Sequence, residues 1–159
     1  MGLLRRALDV LASRSSTRSA SRAGTRPGAS DRPVVEYAAR RDGAPDPGEV
    51  VWAWVAYEDD PRQGKDRPVL LLGRDAGQWV GLMLSSQDHD RDAEDEARWG
   101  RHWMDVGVGD WDRQRRPSEV RLDRLLRLED GAIRREGGAL DRNLFDMVAA
   151  EARRFHDLG

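Results

Sequence analysis

Between residues 49 and 85 the chain places three apolar runs between polar breaks that contain glycine. The first run, EVVWAWVAY at 49–57, is rich in Val and Trp, side chains that suit a pleated surface, and its two-residue period sets Trp52 and Trp54 on one face. It predicts a strand with Trp52 and Trp54 in the core. Residues 58–66 hold Pro61 and Gly64 among many charges and read as a loop too polar to bury. RPVLLLG at 67–73 is long enough for a buried strand and too short for a stable helix. WVGLMLS at 79–85 follows the turn residue Gly77, so the second and third runs predict a hairpin, with Trp79 inside.

Further along, 102–106 and 118–122 are strand candidates separated by Gly107, Gly109 and Pro117, and 125–128 can extend the sheet. Residues 87–101 carry so many acids that they read as a solvated loop or one helical turn. The period then changes. Asp141 is placed to cap a helix, Leu140 and Phe145 occupy the positions of a hydrophobic staple, and Leu144, Val148, Glu151 and Ala152 continue at helical spacing to Phe155. The expectation is a mainly β domain with α, a compact antiparallel sheet or barrel carrying a C-terminal helix of about four turns.

Composition limits the extent of that domain. Residues 12–32 are Ser, Arg, Gly and Ala without Leu or an aromatic, too little apolar surface to offset the entropy of ordering. Residues 1–32 therefore read as a disordered basic tail and 33–47 as an irregular Pro-rich lead-in. The folded unit is expected at 48–159. At 38% hydrophobic and 35% charged, the chain reads as a soluble protein with a modest core, and no apolar run approaches the length of a bilayer span. Arg5, Arg6 and Asp9 interrupt the apolar start that a signal peptide needs, so a cytoplasmic location is expected.

The absence of cysteine removes disulfides, thiol nucleophiles and Cys-ligated zinc from consideration. His89, His102 and His156 are too dispersed for a metal centre, Asp88-His89-Asp90 reads as solvated loop, and no metal or cofactor is expected. Arginine supplies every positive charge except Lys65, and seven arginines fall within 1–32, which leaves the folded part acidic. Any binding of nucleic acid by such a body must gather its arginines at one place, because general phosphate attraction is weak.

Four segments in order resemble the MazF/PemK/Kid toxins of type II toxin–antitoxin pairs. Gly48-Glu49-Val50-Val51-Trp52 is similar to the family's opening Gly-Asp/Glu-Ile-Val-Trp. Gln63-Gly64-Lys65-Asp66-Arg67-Pro68-Val69-Leu70 is similar to its Gln-x-Gly-x-Arg-Pro-x-Val segment. Leu84-Ser85-Ser86-Gln87 lies where members end a strand with paired Thr or Ser, and Val120-Arg121-Leu122-Asp123 resembles Val-Arg-Cys-Asp of the Kid branch. The resemblance covers roughly 48–128. It implies an SH3-like antiparallel barrel with a C-terminal helix, a homodimer, an antitoxin whose tail blocks an RNA groove, and operator DNA bound together with that antitoxin.

The implied activity is metal-independent cleavage of single-stranded RNA, in which the RNA's own 2′-hydroxyl attacks the adjacent phosphate to give a 2′,3′-cyclic phosphate. Such a reaction needs a base, a cation for the developing charge and an acid for the leaving oxygen. Arg121 and Asp123 are two apart in an extended segment and project together, while Val120 and Leu122 face the core. By resemblance Asp123 is the general base and Arg121 the acid or charge stabiliser, with stabilisation the chemically easier role because an arginine pKa lies far above neutrality. Arg67 corresponds to a catalytic arginine that clamps the phosphate, and Ser85 to a hydrogen-bonding partner. Ser86, Gln87 and Lys65 are the implied RNA contacts. Trp99, Trp103 and Trp111 remain as candidates for stacking on bases or for covering the open end of the sheet. Two departures stand out: the first loop carries Glu58, Asp59 and Asp60 where Kid-like members have a histidine, and Arg124 follows Asp123 where Gln is common. The missing loop histidine, together with the long acidic insertion at 87–101, suits a competing function class, a non-catalytic SH3-like module that binds a protein partner or operator DNA, while the Arg121/Asp123 pair argues for catalysis.

Overall fold

The computed structural model describes residues 32–88 and 93–159. All but Arg32 of the expected tail, and His89 and Asp90 of the Asp-His-Asp segment, lie outside the described residues. The strands are β1 (Val34–Val35), β2 (Glu49–Ala56), β3 (Gly64–Asp75), β4 (Gln78–Ser85), β5 (Trp103–Gly107), β6 (Ser118–Arg121), β7 (Leu126–Leu128) and β8 (Ile133–Ala139). Two helices complete the chain, α1 (Ala93–Arg98) and α2 (Arg142–Ala152). Every strand pair is antiparallel, and the central order is β5-β6-β4-β3-β2-β8, with β1 added to β3 and β7 to β4. The ladders form an open path that ends at β5 and β8. Among the described residues no pairing joins those two ends into the closed barrel that the resemblance implies.

The apolar run of β3 explains why the sheet is buried on both faces. Side chains alternate along a strand, so Leu70 and Leu72 enter one core with Val80, Leu82, Val120, Phe145 and Val148, while Val69 and Leu71 enter a second with Val51, Ala53, Trp79 and Leu128. Covering both faces makes a run of four apolar residues the stable pattern, where a half-exposed strand would alternate. β4 serves two partners in succession: Trp79 to Gly81 pair with β7, and Leu84 and Ser85 pair with β6.

The lead-in also packs on the domain. β1 pairs with Gly73 and Arg74 of β3, and the Tyr37 hydroxyl donates to Leu140 O at 2.8 Å. Gly73 makes this docking feasible, because a Cβ there would stand 1.8 Å from Val34 O. Short, Pro-flanked and half exposed, β1 carries almost no periodic signal.

Helix α2 begins as the sequence predicts. The Asp141 carboxylate accepts from Asn143 N at 2.9 Å and Leu144 N at 3.3 Å, and Leu140 and Phe145 are both buried in the first core. Asp141→Ala is therefore expected to cost about 1 kcal/mol, read as a few degrees' fall in melting temperature with the fold retained. The helix ends at Ala152 rather than reaching Phe155, because the chain turns there to place the Phe155 ring 4.7 Å from His102 and His156 Nε2 2.8 Å from Leu122 O. Among the described residues, no helix is long and apolar enough to cross a membrane.

The tryptophans divide differently from the expectation. Val51, Ala53 and Val55 form the buried face of β2, so Trp52 and Trp54 point the other way, and Trp54 is 36% exposed. Trp111 is no surface stacker: it is buried and donates from Nε1 to Ser118 Oγ at 3.1 Å. Of the three remaining candidates only Trp99 is largely exposed, at 77%.

Candidate RNA-cleaving site

Two hollows open beside the paired ends of β3 and β4, and Arg67 lines both. β3 and β4 pair at Val69 and Met83; two residues beyond, on matching faces, come Arg67 and Ser85. A hollow of about 290 Å³ is lined by Arg67 with Lys65, Ser85, Ser86 and Gln87, so five of the seven residues expected from sequence share one surface. Ser85 Oγ accepts the Gln87 N–H at 3.1 Å, a local turn that fixes the end of β4 and leaves the hydroxyl proton for another acceptor. Trp52 and Trp111 form part of the same wall.

The other hollow, a cleft of about 380 Å³, is lined by Arg67, Arg101, Arg121 and Arg124 together with Tyr57, Glu58 and Asp59. Arg121 ends β6, where Val120 and Leu122 on either side are buried in the first core, and its own side chain is only 8% exposed. Its Nε donates to Asp123 Oδ1 and Oδ2 at 3.2 and 3.1 Å, and its Nη2 to Asp123 Oδ2 at 2.8 Å. The opposite edge of the guanidinium faces Glu58: Nη1 donates to Oε2 at 2.8 Å and Nη2 to Oε1 at 3.0 Å. Asp123 additionally accepts the His102 backbone N–H at 2.7 Å.

The buried Arg121–Asp123 pair and the half-exposed Glu58 shift one another's titration. Burial alone would raise Asp123, but the Arg121 guanidinium and the His102 N–H outweigh it and hold the carboxyl below its ordinary value. Burial alone would lower Arg121, but Asp123 and Glu58 outweigh it and raise the guanidinium above its ordinary value. Arg121 is thus a permanent cation, unsuited to giving up a proton, and Asp123 is a weak proton acceptor whose oxygens are engaged by fixed donors. The pair is not an ordinary surface ion pair. Only 8% and 12% of the two side chains reach solvent, where exposed pairs contribute little.

Arg67 stands apart from this network. Among the described residues its guanidinium has no carboxylate partner, whereas Arg101 pairs with Glu96 and Arg124 donates to Ala56 O at 2.8 Å while lying 4.0 Å from Glu58. Burial is the largest influence and lowers the Arg67 pKa; Tyr57 raises it by more than either Arg124 or Arg121 lowers it, and the net shift is downward. An arginine stays protonated at neutral pH even so. A desolvated cation, pressed by like charges and lacking a counter-ion, is stabilised by any anion that enters the cleft.

Glu58 and Arg124 are the site residues that sequence reasoning placed only as departures. Glu58 lies in a loop with three consecutive acids, and nothing in that run distinguishes the one that meets Arg121. Arg124 carried a signal in retrospect, since it extends Val-Arg-Leu-Asp by one more charge at the edge of the cleft. The described residues contain no group of three or more His, Cys, Asp or Glu able to hold a metal ion.

No curated protein matches the chain. A family model described as a PemK-like, MazF-like toxin of type II toxin–antitoxin systems matches residues 46–156, from three residues before β2 through α2 and the turn after it. With more than half of its length matched, and with the segments at 48–52, 63–70, 84–87 and 120–123 inside that span, the chain belongs to the family of PemK-like, MazF-like toxins of type II toxin–antitoxin systems.

Proposed function

We propose that this chain is a metal-independent endoribonuclease that cleaves single-stranded RNA through the substrate's own 2′-hydroxyl, leaving a 2′,3′-cyclic phosphate and a 5′-hydroxyl. The observation that carries this reading is Arg67, a half-buried guanidinium without a carboxylate partner among the described residues, set between two hollows and flanked by Arg121 and Arg124. In this reading Arg67 clamps the scissile phosphate with its planar fork, and Arg121 supplies fixed positive charge for the pentacoordinate phosphorane. Asp123 holds Arg121 in place. Ser85 donates to phosphate or ribose, and Ser86, Gln87 and Lys65 guide the RNA along the smaller hollow. The active form is a homodimer, and an antitoxin segment covers the cleft in the resting pair. That complex is also the species that binds operator DNA.

A second reading, a binding module without catalysis, draws on one observation: the hydrogen bonds to Asp123 and Glu58 already occupy both edges of Arg121. One experiment separates the two. Purified protein is incubated with a mixed single-stranded RNA pool in excess chelator and, in parallel, with the 2′-O-methylated pool. The ribonuclease reading expects discrete cuts in the first and none in the second. An RNA pool left intact under all conditions, with or without magnesium, supports the binding module.

A further inference from the structure

The two carboxylates on Arg121 are held very differently. Asp123 is 12% exposed and takes donors from Arg121 and from the His102 backbone. Glu58 lies two residues beyond β2 in the loop that leads to β3, its side chain is 51% exposed, and Arg121 is its only hydrogen-bonding partner among the described residues. Its two oxygens sit on the Nη edge of the guanidinium, the same parallel arrangement that two non-bridging oxygens of a phosphate adopt. A phosphate that reaches Arg67 in this cleft therefore competes with Glu58 for Arg121, and Glu58 is the carboxylate that can yield.

Once displaced, Glu58 stays at the cleft. The Tyr57 N–H donates to Gln63 O at 2.9 Å and closes the loop at its base, and Arg124 Nε, 4.0 Å away, offers a second cationic contact. Among the described residues the lining holds no histidine, its carboxylates are Glu58 and Asp59, and of these two it is Glu58 that accepts from Arg121. On the strength of this geometry, and resting on the ribonuclease reading above, we propose that Glu58 is the catalytic base: the scissile phosphate displaces it from Arg121, and the freed carboxylate takes the proton of the neighbouring 2′-hydroxyl.

The step balances as follows. The 2′-oxygen gives its electron pair to phosphorus as its proton passes to Glu58. The P–O5′ bond breaks with its pair left on the 5′-oxygen, which takes a proton from water, and the resulting hydroxide recovers the proton from Glu58. Substrate entry also prepares the base. In the free protein the Arg121 hydrogen bonds hold Glu58 below its ordinary pKa, and losing them restores its affinity for a proton.

The test uses the full chain, Glu58→Gln and Glu58→Asp, with an RNA oligonucleotide that the wild type cuts and the same oligonucleotide carrying 2′-deoxyribose at the cut position. Single-turnover cleavage and binding of the uncleavable oligonucleotide are measured on each, with a thermal melt as control. Glu58→Gln is expected to bind at least as tightly as wild type, since no carboxylate contests Arg121, and to cleave roughly 100-fold or more slowly. Glu58→Asp is expected to recover part of the rate. A smaller loss of rate in Glu58→Gln, or a loss matched by equally weakened binding, overturns the proposal alone. A wild-type protein that cuts no RNA overturns the ribonuclease reading and this proposal together.

Discussion

Arg67→Ala is expected to slow RNA cleavage by roughly 10²- to 10³-fold while leaving the fold intact, the range found when one preorganised stabiliser of transition-state charge is removed. The two parts of that expectation have one origin. Because Arg67 has no carboxylate partner among the described residues, its loss strands no buried acid, and it relieves the burial and repulsion that already lower its pKa. A melting temperature equal to or slightly above wild type should accompany the loss of activity. Arg67→Lys keeps the charge but not the fork, so it should recover only part of the rate. Single-turnover cleavage and a thermal melt on the same samples check both parts. Unfolded Arg67→Ala, or a folded variant with wild-type rate, contradicts the assignment.

Arg121→Ala should behave in the opposite manner, with stability lost first. Asp123 would remain nine-tenths buried with the His102 N–H and no cation, and stranding a buried charge in this way costs about 3–5 kcal/mol. For a domain of this size the melting temperature should fall by roughly 10 °C or more. The pH dependence distinguishes this cause from simple loss of packing. In the wild type the folded-state pKa of Asp123 lies below its ordinary 3.8, so the pair's stabilisation is present above that value and is lost as pH falls through the lower folded value. In the variant both lowering influences of Arg121 are gone while burial still raises Asp123 against the backbone N–H groups of His102 and Asp123, so the folded pKa moves up from its wild-type value. The deficit of the variant should therefore shrink as pH drops through and below about 4. Urea unfolding of both proteins at neutral and at acidic pH measures it, and a deficit independent of pH would show that charge is not the cause. Glu58 is half exposed and contributes little to this balance.

Where the fold was legible, the reason is periodicity backed by burial. β2, β3, β4 and β6 each bury a face or both, and the Asp141 cap with Leu140 and Phe145 is a local signature that needs no tertiary information. β8 was not legible. Ile133–Ala139 reads IRREGGA, an edge strand with no fully buried residue, attached to β2 across two register shifts, so neither alternation nor hydrophobicity marks it. Trp52 and Trp54 misled because bulk and period alone do not say which face of a strand is inside; the smaller Val51, Ala53 and Val55 fill that core.

The site shows the same division. Arg121 and Asp123 were placed by spacing, because a short extended segment between buried Val120 and Leu122 has only one open side. Lys65, Arg67 and Ser85 to Gln87 come together because the register of β3 and β4 brings their ends to one edge. Glu58 joins Arg121 from 63 residues away through a loop. No periodic pattern encodes such a contact, and the difference in partners and exposure between Asp123 and Glu58, on which the proposal of Glu58 as base rests, emerges only from the folded chain.

The central claim is that the cations of this cleft let RNA cut itself through its 2′-hydroxyl. The most direct measurement is the chemistry of the ends that the wild-type protein produces from a defined RNA in excess chelator, read by mass spectrometry. A 2′,3′-cyclic phosphate on one fragment and a 5′-hydroxyl on the other, with no cut where the single nucleotide 5′ of the cleavage point is 2′-deoxy, is the predicted result. Fragments ending in 5′-phosphate and 3′-hydroxyl, or cleavage that survives the 2′-deoxy substitution, would contradict it.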